Sequence, residues 1–473
     1  MNRWFVIIAV VVVGLAGCVR FQPHPISPSE TAAKLESRSL NDTGFKAFLE
    51  KNLQKKFADW PAANWDFETL TLAALYYHPS LDVARAQWDL ARGGEVTAAE
   101  RPNPTLSAVP GYDFSATSPA NPWIPAVSFD LPIETMGKRR YRKTQAAQLS
   151  ESARLNIATA AWQVRINLRS ALIDYTTSRQ REGWLQRQLE IQERVIKLLQ
   201  QRLEAGALAS SELTLVRIAA QKIRLDLLTT QTSRADARAR VAEAIGIPVS
   251  QLEGMDFSYD PGARLPAASE LVTEAIRRQA LQGRADVLAI LAEYESSQSA
   301  LQLQIAKQYP DVHLGPGYQF DQADNKFSFA ITAELPILNQ NQGPIAEAEA
   351  KRLEVAARFM ALQSKVIAEI DRSLAVYRTT SAQIGGLDAL AAEQKRQSQS
   401  VEAQVNVGVA DQLDLANARL DLATSELVQL DTRIKLYQAL GAVEDALQRP
   451  IDSIKPGLIE QSPRRQAMKE NKP

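Results

Sequence analysis

The sequence predicts an α+β membrane protein in which pairs of short strands are set into very long helical hairpins. Three observations predict it. First, Phe327, Phe329, Ile331, Ala333 and Leu335 alternate with Ser328, Ala330, Thr332 and Glu334, the two-residue period of a strand with one apolar face. Second, residues 133–247 and 345–449 contain no proline and are rich in Ala, Leu, Gln, Glu and Arg, as long helices are. Third, the plan is written twice. "PTLSAVPGYDF" at 104–114 recurs as "PDVHLGPGYQF" at 310–320, Asp130-Leu131-Pro132-Ile133 recurs as Glu334-Leu335-Pro336-Ile337, and the stretch around Gly206 recurs around Gly408.

Taken from the N-terminus, residues 1–17 read as a secretory signal: Arg3, an apolar run from Trp4 to Leu15, then Leu15-Ala16-Gly17-Cys18. The run is too short for a bilayer that needs roughly 20 helical residues, so Cys18 is expected to become a lipidated first residue. It is the only cysteine, which excludes a disulfide within the chain and a cysteine-based metal site. Residues 18–65 read as a lipid-anchored tether, expected to be extended where Pro23, Pro25 and Pro28 fall.

The first repeat is placed at 66–248: a short helix, a break at His78-Pro79, a medium helix near 80–101, strands at 104–114 and 124–133, and a long hairpin with its tip near Gly206. An irregular linker follows at 249–269. The second repeat, 270–449, repeats the order with strands at 310–320 and 326–337 and a tip near Gly408, and residues 450–473 form a polar tail. Heptad seams run along the arms: Leu185, Leu189, Gln192, Ile196, Leu199 and Leu203 in one, Leu213, Val216, Ala220, Ile223 and Leu227 in its return, and Leu413, Ala416, Leu420, Ala423, Leu427 and Leu430 in the second copy. An ascending helix from about 140 to 205 would be about 100 Å long. Its return is shorter by roughly the length of the medium helix, so those two are expected to stack end to end beside it.

Leu106, Ala108, Pro110, Tyr112 and Phe114 share one face of the first strand, and Val312, Leu314, Pro316, Tyr318 and Phe320 share one face of its repeat. That alternation suits a membrane barrel strand, with aromatics gathered near the loops as an interfacial girdle; it also suits a soluble hairpin packed on a core. In lipid, four strands cannot close a barrel, because an open edge leaves backbone groups unpaired. Three chains would supply twelve strands and, from six hairpins, a continuous helical barrel below.

These features together resemble the TolC-type outer-membrane efflux factors over about residues 66–449. The resemblance implies a homotrimer in the outer membrane with its helical barrel in the periplasm. It also implies partners, namely a periplasmic adaptor of the membrane-fusion type and an inner-membrane transporter of the RND type. By position it implies a pore gate near the tips at Asp414, Asn417, Asp411 and Glu212, with Asn417 standing where some relatives carry a second acid. It implies adaptor contacts at Ala205, Gly206, Ala207, Val407, Gly408 and Val409. The basic cluster Lys138, Arg139 and Arg140 in "GKRRYRK" sits at a helix N-terminus, where positive charge opposes the helix dipole, so membrane head groups are its expected partner; a solvated charge run is the alternative. With "LNQNQGPIAEAEA" at 338–350, this stretch resembles the heavy-metal branch of the family more than the drug-exporting one.

Composition adds exclusions. The 54 basic and 54 acidic residues balance, giving no reason to expect nucleic acid as a partner. Only His24, His78 and His313 occur, with no metal-ligand spacing and no catalytic constellation, so neither an enzyme nor a cofactor is expected. The rival reading is a periplasmic coiled-coil scaffold lipoprotein with the strands as soluble caps.

Overall fold

A computed structural model describes residues 21–57, 59–61, 65–114, 116, 121–255, 257–259, 265–267, 271, 274–322 and 324–450. The signal at 1–17, Cys18 and all but the first residue of the tail lie outside the described residues. The tether contains helix, contrary to the extended expectation: Pro28–Glu36 and Thr43–Leu53. Pro28 occupies the first helical turn, where its missing N–H costs nothing, and Ser27 caps it by accepting from Glu30 N at 3.4 Å.

Each repeat then follows one plan. The first has a two-residue strand β1 (Trp65–Asp66), a short helix Phe67–Tyr77 and a medium helix Pro79–Ala99. Strands β2 (Thr105–Tyr112) and β3 (Trp123–Ile133) come next, then a long helix Lys138–Glu204 and its return Ser210–Ile245. The linker is more ordered than expected, with a 3-10 turn at Val249–Leu252 and strand β4 (Phe257–Ser258) pairing parallel to β1. The second repeat has helices Glu274–Gly283 and Ala285–Ala306 and strands β5 (Val312–Asp321) and β6 (Asp324–Ala333), followed by the long helix Gln342–Asn406 and its return Gln412–Leu447. β6 stops at Ala333, short of the expected 337, because its partner β5 begins at Val312 and offers nothing beyond to pair with.

The end-to-end stack is present in both repeats. At the first joint Gly246 takes φ +87°, and a Cβ there would lie 3.0 Å from both His78 Cα and Tyr77 O, so the two helix ends touch backbone to backbone. Arg38 Nη1 clamps them by donating to Tyr77 O (2.7 Å) and Gly246 O (3.0 Å). At the second joint Arg284 Nη1 donates to Ala446 O at 2.7 Å, and Gln448 Oε1 accepts from Ala285 N at 3.2 Å.

The main core lies at this level. Leu40, Phe45, Leu49, Trp65, Leu70, Leu168, Leu172, Val241, Ile245 and Phe257 are buried together, so the tether and the linker both dock on the helices. Each such side chain contributes about 1.5–3 kcal/mol of burial, which is why segments with so few regular elements hold their place. Glu444, 1% exposed, receives Arg165 Nη1 at 3.3 Å and also pairs with Arg169, tying the return helix of one repeat to the long helix of the other.

Candidate functional site

The sheet comes first, because its two faces divide so completely. Its order is β2-β3-β5-β6, antiparallel throughout. The register places Leu106 opposite Phe129, Leu131 opposite Leu314, Leu314 opposite Ile331 and Pro316 opposite Phe329, all on one face. Tyr112 opposite Trp123 and Tyr318 opposite Phe327 complete that face near the hairpin ends, with ring centroids 5.0 and 5.2 Å apart. The other face carries Thr105, Ser107, Ser128, Asp130, His313, Gly315, Gly317, Ser328 and Thr332, with Val109, Ile124, Ala126, Pro132 and Ala330 as apolar exceptions. Among the described residues nothing covers the apolar face: Phe329 and Ile331 are 63% and 69% exposed. Among the described residues no strand pairs with the outer edges of β2 and β6.

Beneath the sheet is a charged neck. Lys138, only 6% exposed, donates Nζ to Asp311 Oδ1 and to Tyr309 O, both at 2.7 Å. Arg139 donates Nε and Nη2 to Ala99 O at 2.8 and 2.6 Å, and Arg142 donates to Glu134 and to the carbonyls of Ala98 and Glu100. The Ala98, Ala99 and Glu100 carbonyls end the first medium helix, where positive charge is favoured, and Tyr309 lies three residues past the end of the second. The cations therefore stand at the start of one helix while Arg139 and Arg142 compensate the end of another and Lys138 pairs with Asp311. Arg140 alone of the three is exposed, with its guanidinium 5.0 Å from the Tyr141 ring. On the polar face His313 Nδ1 lies 2.9 Å from Asp130 Oδ2.

The tips close the other end. Both long helices finish in a Schellman turn: Gly206 (φ +74°) donates to Leu203 O and Ala207 to Arg202 O, while Gly408 (φ +77°) donates to Val405 O and Val409 to Gln404 O. Only glycine takes that backbone cheaply. Ala205, Gly206, Ala207, Val407, Gly408 and Val409 are all exposed, and Val407 and Val409 present apolar side chains to solvent.

Asp411 and Asp414 form a capping box at the start of Gln412–Leu447. Asp411 Oδ1 accepts from Leu413 N (2.7 Å) and Asp414 N (2.9 Å), and Asp414 Oδ2 accepts from Asp411 N at 3.1 Å. Arg202, at the end of the other arm, reaches across to Asp411. The backbone N–H of Asp414 leads in holding the Asp411 carboxyl below the usual carboxylate range, with Leu413 N–H and Arg202 adding to it against slight burial. Asn417 and Glu212 are exposed, Glu212 in the first turn of an uncapped helix. The first arm's Val195, Leu199 and Leu213 pack with Ala416 of the second, so the two tips share one small apolar core.

The structure thus brings Asp411 and Asp414 together, places Asn417 and Glu212 on nearby exposed turns, and sets Lys138, Arg139 and Arg140 about a helix length away. Sequence reading missed Arg202, Asp311 and Glu134. Their partners lie 209 positions away for Arg202 and 173 for Asp311, and no local pattern reports such pairings. Among the described residues no helix is long and apolar enough to cross a membrane, and no group of three or more His, Cys, Asp or Glu could hold a metal ion.

The sequence pattern of the outer membrane efflux protein family matches residues 71–247 and 276–448. The chain is 22% identical over 376 residues to the cobalt-zinc-cadmium resistance protein CzcC of Cupriavidus metallidurans, covering 78% of this chain and 87% of that one. It is 23% identical over 335 residues to the pyoverdine export outer membrane protein OpmQ of Pseudomonas putida, covering 67% and 69%. Its fold is similar to that of the outer membrane protein VceC of Vibrio cholerae, with a TM-score of 0.66 at 18% identity over 83% of this chain and 100% of that one.

Proposed function

Because this chain belongs to the outer membrane efflux protein family, we propose that it is the outer-membrane channel of a tripartite efflux system. Three copies pool their sheets into a twelve-stranded barrel and their hairpins into a periplasmic tube. The observation that carries this reading is the sheet: one uncovered apolar face, one polar face and two unpaired edges in a single protomer. In lipid the apolar face is solvated by acyl chains, the polar face lines a wet lumen, and only further copies satisfy the edges.

The helices support the same closure. Ser210–Ile245 packs on Lys138–Glu204, which packs on Gln412–Leu447, which packs on Gln342–Asn406. One margin exposes Leu215, Ile218, Leu225 and Leu228 on the return helix and Val83, Leu90 and Val96 on the medium helix stacked on it, and the other exposes Leu353, Met360, Val376 and Leu390. Two unlike margins that each carry exposed apolar side chains suit a head-to-tail ring.

A periplasmic adaptor grips the exposed tip turns at Ala205–Ala207 and Val407–Val409, and an inner-membrane transporter of the RND type supplies the driving force. Cys18 carries the lipid, and Arg140 meets head groups. Asp414, Asp411, Asn417 and Glu212 of three chains set the charge of the tip constriction. The protein is a conduit and performs no reaction. Metal cations are the cargo this reading favours, since the match to the cobalt-zinc-cadmium resistance protein is broader than that to the pyoverdine exporter.

Purified protein tested in planar bilayers should require detergent, migrate as a heat-sensitive trimer and conduct ions, and Asp414→Ala should lower cation preference. A mature chain that stays a water-soluble monomer would favour the scaffold reading. Unchanged selectivity would remove Asp414 from the gate.

A further inference from the structure

The two repeats end their sheets in the same way, yet within a single chain only one of these ends meets a neighbour. The hairpin registers fix which residues correspond. Gly111 opposite Ile124 and Tyr112 opposite Trp123 in the first hairpin reappear as Gly317 opposite Ser328 and Tyr318 opposite Phe327 in the second, so Thr105 answers to Asp311 and Asp130 to Glu334. The helix starts agree: Lys138 follows Gly137 at φ +72°, and Gln342 follows Asn341 at φ +61°. Yet β3 runs through Leu131-Pro132-Ile133, whereas the matching Leu335-Pro336-Ile337 is not strand. The difference is the neighbour. Leu131, Pro132 and Ile133 pair with Leu314, His313 and Val312 of β5, and among the described residues no strand stands beside β6 to do the same. Leu335 and Ile337 are accordingly 69% and 74% exposed.

Below the strands, side chains lock the first joint. Thr135 donates its N–H to Asp311 Oδ1 at 2.9 Å and its hydroxyl to Pro310 O at 2.6 Å, and Lys138 Nζ reaches Asp311 Oδ1 and Tyr309 O. The corresponding residues of the second repeat are Asn339 and Gln342, both exposed. Each uses its side-chain oxygen locally: Asn339 Oδ1 accepts from Asn341 N at 2.8 Å, and Gln342 Oε1 accepts from Gln340 N at 3.2 Å. Their NH2 groups have no partner among the described residues. Asn103, Pro104 and Thr105, which answer to Tyr309, Pro310 and Asp311, are exposed as well. Donors thus stand beside one outer edge of the sheet and the matching acceptors beside the other.

We propose that residues 334–342 are a docking segment for the next copy of this chain, held in one register: Ile337 opposite Leu106, Pro336 opposite Ser107, Leu335 opposite Ala108 and Thr332 opposite Gly111 of that copy. Asn339 donates to Pro104 O, and Gln342 to Asn103 O and Thr105 Oγ1, of the same copy. The joint between copies is therefore neutral where the joint within the chain is an ion pair. This register keeps Ile331, Leu335 and Ile337 on the face that carries Leu106, Ala108 and Tyr112, whereas a slip of one residue would turn that set to the polar face. The same correspondence lays Gln342–Asn406 along the medium helix Pro79–Ala99 of the next copy, as Lys138–Glu204 lies along Ala285–Ala306. The inference rests on the channel reading and gives "LNQNQG" a task which that reading leaves unassigned.

The test uses the full-length protein in its membrane. Ser107→Cys with Pro336→Cys should cross-link on oxidation into a ladder ending at a covalent trimer. Ser107→Cys with Glu334→Cys, set for a two-residue slip, should give at most about a tenth of that yield, because diagonal neighbours lie beyond disulfide reach. Each single variant retains Cys18 and should give no ladder. Thr105→Asp with Gln342→Lys writes the ion pair of the first joint into the second. It should slow dissociation of the trimer in detergent at least roughly fivefold beyond the product of the single changes, and molar salt should remove the gain. A ladder from the slipped pair, or none from either pair in a protein that still conducts as a trimer, overturns the proposal and leaves the channel reading standing. So does a double charge variant without coupling. A wild-type chain that stays a monomer and never conducts would fell the channel reading, and the docking with it.

Discussion

Asp411 performs two tasks that substitution can separate. As N-cap it satisfies the Leu413 and Asp414 N–H groups, and as an ion-pair partner it holds Arg202 of the other arm. Losing a cap costs about 1 kcal/mol. The ion pair is 42% and 48% exposed, so solvent screening reduces it to about 0.5 kcal/mol. Asp411→Ala should thus loosen the second tip by about 1.5 kcal/mol, or roughly tenfold faster amide exchange over residues 403–416. Asp411→Asn keeps an acceptor and should lose only the smaller part. Molar salt should reproduce the asparagine effect in the wild type and leave the cap alone. The carboxyl is depressed when folded, so its contribution is present above the ordinary aspartate value of about 3.9 and fades as pH falls through the lower folded value. Exchange at pH 5–8 should accordingly show no titration from this group. Asparagine exchanging as fast as alanine would refute the division, and so would a step in tip exchange near neutral pH traced to Asp411.

Other outcomes follow from the same contacts. Glu444→Ala should cost about 3–5 kcal/mol by stranding buried positive charge from Arg165 and Arg169; a denaturant midpoint shift worth less than about 1 kcal/mol would show that the arginines are served elsewhere. Gly246→Ala should cost about 1–3 kcal/mol, because the left-handed backbone and the 3.0 Å approach of His78 leave no room, and calorimetry reads it as a lower Tm. Ile331→Lys should weaken bilayer insertion by about 2–4 kcal/mol, whereas Thr332→Lys on the opposite face should be tolerated; equal effects on the yield of membrane-inserted trimer would contradict the assigned register.

Much of this architecture is legible locally. Alternation along 104–114 and 310–320 needs only the two-residue period of a strand, and the register puts Leu106, Ala108, Pro110 and Tyr112 on one face with Leu314, Pro316 and Tyr318, leaving Val109 on the other. The heptad at Leu185, Gln192 and Leu199 holds too, its polar member being buried and donating to Val216 O at 3.2 Å. The tip glycines announced themselves because one backbone conformation there suits only glycine. The tether misled because proline was weighed as a helix breaker, while Pro28 sits in the one turn that accepts it. At the basic cluster only the fold shows what a helix start with Lys138 and Arg139 meets: Asp311 and the Tyr309 carbonyl for the one, the end of the first medium helix for the other.

The sequence by itself determined the repeat, the lengths of the arms and the faces of the strands, because each depends on spacing within a few turns or residues. Tertiary structure decided which charges meet, Lys138 with Asp311 and Arg202 with Asp411, because such pairs depend on where distant segments are carried by the packing between them.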